Sequence, residues 1–342
     1  MKSFIFLVTV FGSACVFGQG DLQKLDIKNK NNETKTISYF VVSDRPEDLR
    51  MLGLTIPIWN ASGSFFNCSL YDLNLTGTYY ANKFQGSLRY KLGVGDRMFP
   101  ESLERMDYPN QPMLFSVNEA KMSQELNAVG TYFFTSSESE QIETIHLKTA
   151  GNTSYVTKVP VKELTKIGVN FGYAQGFTWY NMNRMKVSYE FDDLPGTVIK
   201  DQSLSSMGSV QNYKFLKAGL TFSQSYNFKG NFEGYGDRTT SQLKTTYFNV
   251  IFALQNEFDD VYVSVPESED FNGELGQYVS RASIDAQNKK LPFGFEFGRK
   301  TMTKESGIST EFAIKYLPGF VGNINLMIEL GASYTFNFLG KK

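Results

Sequence analysis

The chain has 342 residues, in which 34 basic side chains nearly balance 35 acidic ones. This balance gives no basic surplus for binding nucleic acid, and the length is ordinary for a single β-barrel. Aromatic residues make up 15% of the chain, and 29 glycines accompany them. The composition therefore favours a β protein with one apolar face and one wet face, and it argues against a helical enzyme.

The N-terminus, MKSFIFLVTVFGSACVFGQG, has the order of an export signal. Lys2 supplies a positive charge, residues 4–11 form a short apolar core, and Gly18 provides a small residue before the cleavage point. The apolar core is too short to span a bilayer as a helix. We predict a signal peptide over residues 1–18, cleaved before Gln19, and therefore export of the mature chain.

The two cysteines limit the chemistry of the mature chain. Cys15 lies in the leader and opens a second processing route, in which lipid is attached to it after cleavage behind Ala14. Cleavage before Gln19 leaves Cys68 alone, so no internal disulfide forms. Since the chain has a single histidine, a His–Cys metal site is excluded by number. We expect neither a metal nor a cofactor.

Residues 19–34 are polar and rich in Asn and Lys, which predicts a flexible lead-in. From residue 35 onward, apolar and polar side chains alternate, a pattern typical of strands with two different environments. The clearest runs are residues 71–79, 84–94, 167–179, 185–191, 216–222, 248–254, 293–297, 312–316 and 324–338. Together they predict about 12–14 strands and no helix, with a single domain over residues 35–342.

The last run, INLMIELGASYTFNF over residues 324–338, keeps a strict period of two and ends in aromatic residues. A soluble β-sandwich also alternates, but fifteen residues at about 3.3 Å each make a strand much longer than usual. Aromatic rings at strand ends suit the two interfaces of a membrane. Because hydrocarbon tolerates only a closed sheet, these features favour a transmembrane antiparallel β-barrel.

Charged residues lie in the middle of several runs, on the polar side of the alternation. In a barrel that crosses a membrane, this side faces the lumen. The pore-lining candidates are Arg89, Lys91, Lys186, Glu190, Lys217 and Glu329. They could line an open pore, or neutralise one another in a plugged lumen.

An exported chain whose last strand alternates up to an aromatic end resembles bacterial outer-membrane β-barrel proteins. The leader ending near FGQ and the Asn-, Lys- and Phe-rich composition resemble those of the Bacteroidota. The resemblance implies a place in the outer membrane, in contact with its lipid. It also implies that Tyr334, Phe336 and Phe338 form the signal read by the barrel-assembly machinery. The tail Leu339–Lys342 departs from the class, in which many chains stop at the aromatic residue.

The class has short periplasmic and long extracellular connections. Counted back from Phe338, the long connection Arg299–Ser309 would lie on the periplasmic side and the short Leu317–Gly322 on the outside. The sequence therefore does not assign which loops face out.

Two functions fit the predicted barrel. The first is a passive, porin-like channel for small polar solutes, which the charged luminal faces favour. The alternative is a non-conducting barrel that anchors or partners with other envelope proteins. An enzyme is not expected, because His146, in the sequence ETIHLK, has no nucleophile signature such as Gly-x-Ser-x-Gly beside it.

Overall fold

The structure is a computed structural model. It describes residues 23–28, 34–64, 68–69, 72–93, 106–108, 111–116, 123–150, 153–181, 186–191, 198–203, 208–258, 261–265, 278–284, 290–304, 306–320 and 326–339. Nearly all of them lie in β-strands, apart from short turns and a single 3-10 turn at Pro46–Asp48. Among these residues, no helix has the length and apolar character needed to span a membrane.

The described strands, in chain order, are β1 (Gln23–Lys28), β2 (Thr34–Asp44), β3 (Met51–Ser64), β4 (Cys68–Ser69), β5 (Asp72–Tyr80), β6 (Phe84–Gly93), β7 (Met106–Tyr108), β8 (Gln111–Ser116), β9 (Gln124–Ala150), β10 (Thr153–Asn181), β11 (Lys186–Phe191), β12 (Val198–Ser203), β13 (Gly208–Phe232), β14 (Gly236–Phe258), β15 (Val261–Val265), β16 (Tyr278–Ile284), β17 (Lys290–Leu291), β18 (Phe293–Thr303), β19 (Ile308–Tyr316), β20 (Gly319–Phe320) and β21 (Leu326–Asn337). β1 lies within the segment predicted as a lead-in.

Ten strands form a closed antiparallel barrel: β3, β5, β6, β9, β10, β13, β14, β18, β19 and β21. Each pairs with the next of these strands along the chain, and β21 closes the barrel by pairing with β3 from Met327–Ser64 to Asn337–Gly53. The predicted fold class is confirmed. The barrel has fewer strands than the predicted 12–14, because alternating runs such as residues 185–191 belong to a second sheet.

The two faces of the barrel wall differ as the alternation predicts. Outward side chains are apolar and exposed, among them Leu52, Leu54, Ile56, Leu75, Phe84, Leu88, Phe171, Leu220, Phe222, Phe248, Phe252, Phe293, Phe295, Phe297, Ile328, Leu330 and Phe336. Inward side chains are mostly polar and buried, among them Thr55, Thr76, Thr78, Asn127, Thr131, Asn170, Thr221, Thr245 and Asn249. The barrel is therefore apolar outside and polar inside, the reverse of a soluble barrel.

The two ends of the barrel differ in their connections. At the end where β21 finishes, the strands are joined by short segments, residues 81–83, 151–152, 233–235 and 304–307; we call it the turn end. At the opposite, loop end the connections are longer, and they contain the other small strands. The β18–β19 connection is short because both strands extend into residues 299–309, which the sequence indicated as a loop. The connection at residues 299–309 is therefore no longer a long loop at the turn end.

Three of the loop-end connections contribute to a second sheet of six strands. Its strand order is β12, β11, β16, β15, β8, β7. β11 pairs with both β12 and β16, and β15 joins β16 to β8. Each of the three connections supplies two strands, so this sheet joins loops that are far apart in sequence.

At the turn end, four barrel strands continue beyond the wall and form the turn-end extension. β9 with β10 makes one layer, and β13 with β14 makes the other, to which β2 and β1 add. Between the layers lies an apolar core of Ile37, Tyr39, Ile145, Leu147, Val159, Val161, Tyr226, Phe228 and Phe232. The ring of Tyr39 stacks on Phe232 with centroids 5.2 Å apart.

Asp44 lies at the point where β13 stops pairing with β10 and starts pairing with β2. Its two carboxylate oxygens accept hydrogen bonds from the backbone N–H of Lys162 at 3.1 and 3.0 Å. Burial nevertheless raises the pKa of Asp44 from 3.8 to about 6, since desolvation outweighs the hydrogen bonds from Lys162. The charged form is thus less favourable in the folded extension than in an unfolded chain.

A pH dependence of the extension follows. The pKa of Asp44 is higher in the folded protein than in the unfolded chain. Protonated Asp44 therefore contributes to the free energy of unfolding below pH 3.8, and this contribution is lost as the pH rises through about 6. We expect the β2 amides to be less protected from hydrogen exchange at pH 7.5 than at pH 5, after correction for intrinsic rates. Asp44→Asn should reduce this difference. An unchanged pH profile in the variant would assign the effect to other carboxylates.

Candidate functional site in the barrel lumen

A layer of charged side chains crosses the lumen towards the loop end, and Arg89 on β6 lies at its centre. Its Nη2 donates to Glu125 Oε1 at 2.6 Å. Its Nη1 contacts Glu329 Oε2 at 3.3 Å and Glu311 Oε1 at 3.4 Å. One guanidinium thus connects three strands, β9, β21 and β19, because its planar fork offers several donors.

Lysines complete the layer. Lys315 Nζ lies 2.9 Å from Glu329 Oε2 and 3.5 Å from Glu296 Oε1. Lys217 Nζ donates to Glu296 Oε2 at 3.0 Å, and Lys91 Nζ contacts Glu329 Oε1 at 3.2 Å. Glu329 on the last strand therefore accepts hydrogen bonds from Arg89 and Lys91 and forms an ion pair with Lys315 as well.

Most of these ions are withdrawn from water. Lys315 is 1% exposed, and Lys217 and Glu296 are each 3% exposed. Removing charges from water is expensive, and close opposite charges with hydrogen bonds offset much of that cost. The layer is therefore stable only as a set, because the loss of one member leaves its partners buried without a counterion.

The charges meet because the inward positions of neighbouring strands fall at similar heights. On β6, Arg89 and Lys91 are separated by the outward Tyr90. On β18, Glu296 lies between the outward rings of Phe295 and Phe297. Two positions further along β18, Gly298 leaves room for the inward ring of Tyr247, which a Cβ there would contact.

An apolar cluster closes the loop-end side of the layer. It comprises Ala174, Tyr213, Phe215, Ile251 and Leu317, all buried. The rings of Tyr213 and Phe215 stack with centroids 4.4 Å apart. The hydroxyl of Tyr213 donates to Glu125 Oε2 at 2.9 Å, which ties this loop-end plug to the charge layer.

A second apolar cluster fills the lumen near the turn end. This turn-end plug comprises Leu49, Met51, Tyr80, Phe133, Leu243 and Met302. Lys166, 1% exposed, donates to the hydroxyl of Tyr80 at 3.1 Å and to the carbonyl of Asn82 at 2.7 Å. Its ammonium also lies 4.9 Å from the ring centroid of Tyr80, a cation–π distance.

Small cavities lie on either side of the charge layer. Towards the turn end, hydroxyls and amides such as Thr131, Asn170 and Thr245 line a cavity of about 90 Å³. Towards the loop end, a cavity of about 20 Å³ lies beside Lys91, Tyr213 and Lys315. The larger has room for several waters. Both are pockets in a packed lumen, far smaller than a solute channel.

Four of the six pore-lining candidates meet in this layer: Arg89, Lys91, Lys217 and Glu329. Lys186 and Glu190 lie on β11, in the six-stranded sheet outside the barrel wall. Sequence reasoning missed Glu125, Glu296, Glu311 and Lys315. A usable signal existed, because each occupies a polar position within an alternating strand.

The predicted assembly-signal residues lie on the outer face at the turn end. Tyr334 and Phe336 are exposed, with ring centroids 4.8 Å apart. Phe338 is also exposed, and its backbone N–H donates to the carbonyl of Leu52 at 2.8 Å. All three rings are therefore accessible at the seam between the last and first barrel strands. Their recognition by assembly machinery stays a prediction.

His146 lies on β9 in the turn-end extension, where it is exposed and pairs across the sheet with Val156. Within the described residues, no group of three or more His, Cys, Asp or Glu side chains is arranged to hold a metal ion. A scan against protein-family models found no match for the chain, and a search of curated proteins found no relative.

Proposed function

We propose that this protein is a non-conducting outer-membrane β-barrel that anchors or partners with other envelope proteins. The observation that carries the proposal is the burial of the luminal charges: Lys315, Lys217 and Glu296 are at most 3% exposed. A water-filled pore leaves the charges on its wall accessible to solvent. In the described barrel, these charges instead form ion pairs with one another and lie between two apolar plugs.

The outer surface supports the membrane location. Exposed Leu, Ile and Phe side chains surround the barrel, including Leu220, Phe252 and Phe295. In water such a belt would be an aggregation hazard, whereas in a bilayer it contacts lipid tails. Outer-membrane lipid is thus its proposed surroundings and the barrel-assembly machinery its proposed partner during insertion. The Bacteroidota-like source stays a prediction from leader and composition.

The partner role is supported by how much of the chain lies outside the barrel wall. The turn-end extension has its own apolar core, and the six-stranded sheet combines three loop-end connections. Ordered structure at both ends offers surfaces for proteins on either side of a membrane. We propose no catalytic role, because the residues in the lumen are engaged in mutual ion pairs.

A porin-like channel is the second candidate, favoured by the convergence of Arg89, Lys91, Lys217 and Glu329 in the lumen. Charged rings of this kind line selective pores in other barrels. A channel would require both plugs and the charge layer to open. The two functions therefore differ in a measurable property, ion conductance.

Single-channel recording in a planar bilayer tests the proposal. Folding of the purified protein is first verified by its heat-dependent gel mobility, and an open porin in the same membrane serves as positive control. We expect no conductance steps in several salts across the accessible voltages. Stable ohmic steps whose ion preference changes in Lys91→Glu would overturn the proposal in favour of a channel.

A further inference from the structure

The outer edge of β9 in the turn-end extension is open over a long stretch. On this side β9 pairs with β6 only as far as Tyr132, opposite Phe84. Beyond it, Phe133 donates its backbone N–H to the carbonyl of Lys83 at 2.9 Å. Among the strands that the structure describes, none pairs with this edge from Phe134 onward. Its outward N–H and C=O groups are thus available to another strand.

The open edge is regular and accessible. Pairing with β10 runs without a register shift from Val156–His146 to Ile167–Thr135, so this part of β9 keeps a straight ladder. Residues 134–140 are all exposed, and Ile142 is 68% exposed. At the far end, Arg238 donates to the carbonyl of Leu147 at 2.6 Å and marks where the free edge stops.

Natural proteins protect such edges from self-association with charged side chains, Lys above all, or with Pro, a bulge or a covering segment. The sequence SSESEQIETI over residues 136–145 contains no Pro, Lys or Arg. It contains three glutamates, Glu138, Glu140 and Glu143, and among the described residues none of them is in an ion pair. The edge is therefore open to strand addition and carries a surplus of negative charge, since Lys162 on β10 is the one lysine directly opposite a glutamate of this stretch.

The charge selects between occupants. A second copy pairing through the same edge would bring glutamates of both chains together, and like charges across a strand pair are destabilising. An extended segment with basic side chains would instead bring opposite charges together while its backbone completes the ladder. Charge complementarity thus favours a basic partner strand over self-association.

We propose that residues 136–145 of β9 bind an extended, basic segment of a partner protein by strand addition. Main-chain hydrogen bonds supply the affinity, and Glu138 and Glu140, which share the outward face of β9, supply the preference for Lys and Arg. The inference deepens the partner role proposed above and rests on it, by naming the surface and the chemistry of what it binds.

The test uses the full-length protein in detergent and a peptide of about ten residues with alternating Lys and Val. A Glu–Val peptide controls for charge, and a Lys–Val peptide with N-methylated backbone positions controls for main-chain pairing. Binding is followed by fluorescence anisotropy, and its location by hydrogen exchange. We expect binding of the Lys–Val peptide alone, with new protection over residues 136–145.

Charge reversal supplies the matched variants. Glu138→Lys with Glu140→Lys should weaken binding of the Lys–Val peptide at least tenfold and allow the Glu–Val peptide to bind. Glu47→Lys with Asp48→Lys makes the same charge change at two exposed positions of the 3-10 turn between β2 and β3, and should leave binding within twofold. Heat-dependent gel mobility verifies that both variants fold.

Several outcomes would overturn the inference. Equal binding of the N-methylated peptide would show that charge attraction alone, without main-chain pairing, holds the peptide. Equal losses of binding in both charge-reversal variants would show that the peptide binds to the negative surface in general and not to the β9 edge. Absence of peptide binding, or self-association through this edge, would also reject it. Failure of this inference is distinguishable from failure of the proposed function. A barrel that neither conducts ions nor binds the peptide rejects only strand addition at the β9 edge. A barrel that conducts ions and binds the peptide rejects only the non-conducting role.

Discussion

Glu329→Gln should lower the free energy of unfolding by about 3–5 kcal/mol, the range for breaking a buried ion pair from one side. The substitution keeps the shape of the side chain and removes its charge. Arg89, Lys91 and Lys315 would then share fewer carboxylates within a buried layer of the lumen. The change is measured as a shift of the urea unfolding midpoint of the lipid- or detergent-refolded protein, followed by gel mobility.

An exposed ion pair of the same chain supplies the control for Glu329→Gln. Lys229 Nζ lies 3.3 Å from Asp237 Oδ2 at the β13–β14 turn, where both side chains are well exposed. Surface pairs of this kind contribute little because water and salt screen them. Lys229→Ala should therefore leave the midpoint unchanged within error. Equal shifts in the two variants would mean that the luminal layer is not the stabilising feature described above.

Tyr80→Ala should lower the free energy of unfolding by a similar amount, about 3–5 kcal/mol, as for other large buried aromatic residues. Tyr80 is fully buried in the turn-end plug, and its hydroxyl bonds both Lys166 and Ser225. The truncation leaves a cavity and removes the cation–π partner of a buried ammonium. The unfolding midpoint measures the loss.

Tyr79 provides the matched control for Tyr80, because it is the same residue type one position earlier and points outward. It is 48% exposed on the barrel surface. Tyr79→Ala should give a much smaller shift, since no packed neighbours are lost from the lumen. The reverse order of effects would place Tyr79 inside and contradict the register of β5. We also expect Tyr80→Ala to remain non-conducting, because the charge layer and the loop-end plug are still in place.

The barrel wall was predictable because its signal is local. In β6 and β21 the alternation alone assigned Arg89 and Lys91 to the luminal face and Phe336 to the outer face. The same pattern did not distinguish barrel strands from β11, which alternates equally well in another sheet. Partner choice depends on contacts distant in sequence, which a period of two does not encode. This is why the strand number was overestimated and Lys186 and Glu190 were grouped with the lumen.

The turn-end extension gave a weaker signal. Residues 136–141 of β9 are uniformly polar, so no alternation marked them as a strand, although they pair with β10 without interruption. The partners of the charge layer were missed for a different reason. Glu296 lies between two phenylalanines of an alternating run, and nothing near it in sequence indicates a partner. Its ion pairs form only because the fold brings Lys217 and Lys315 beside it.

The length of the β9–β10 hairpin has a mechanical consequence. Its strands have 27 and 29 residues and stay paired from barrel to extension, with one register shift between Ile167 and Gly168 where the two parts meet. Interstrand hydrogen bonds lie perpendicular to the strands. A force that pulls the extension along the barrel axis therefore shears many of the hydrogen bonds that join β9 to β6 and β10 to β13 at once, instead of opening them one by one. A protein tethered to the extension could therefore be pulled with a large force before the barrel wall came apart, which is what an anchor requires.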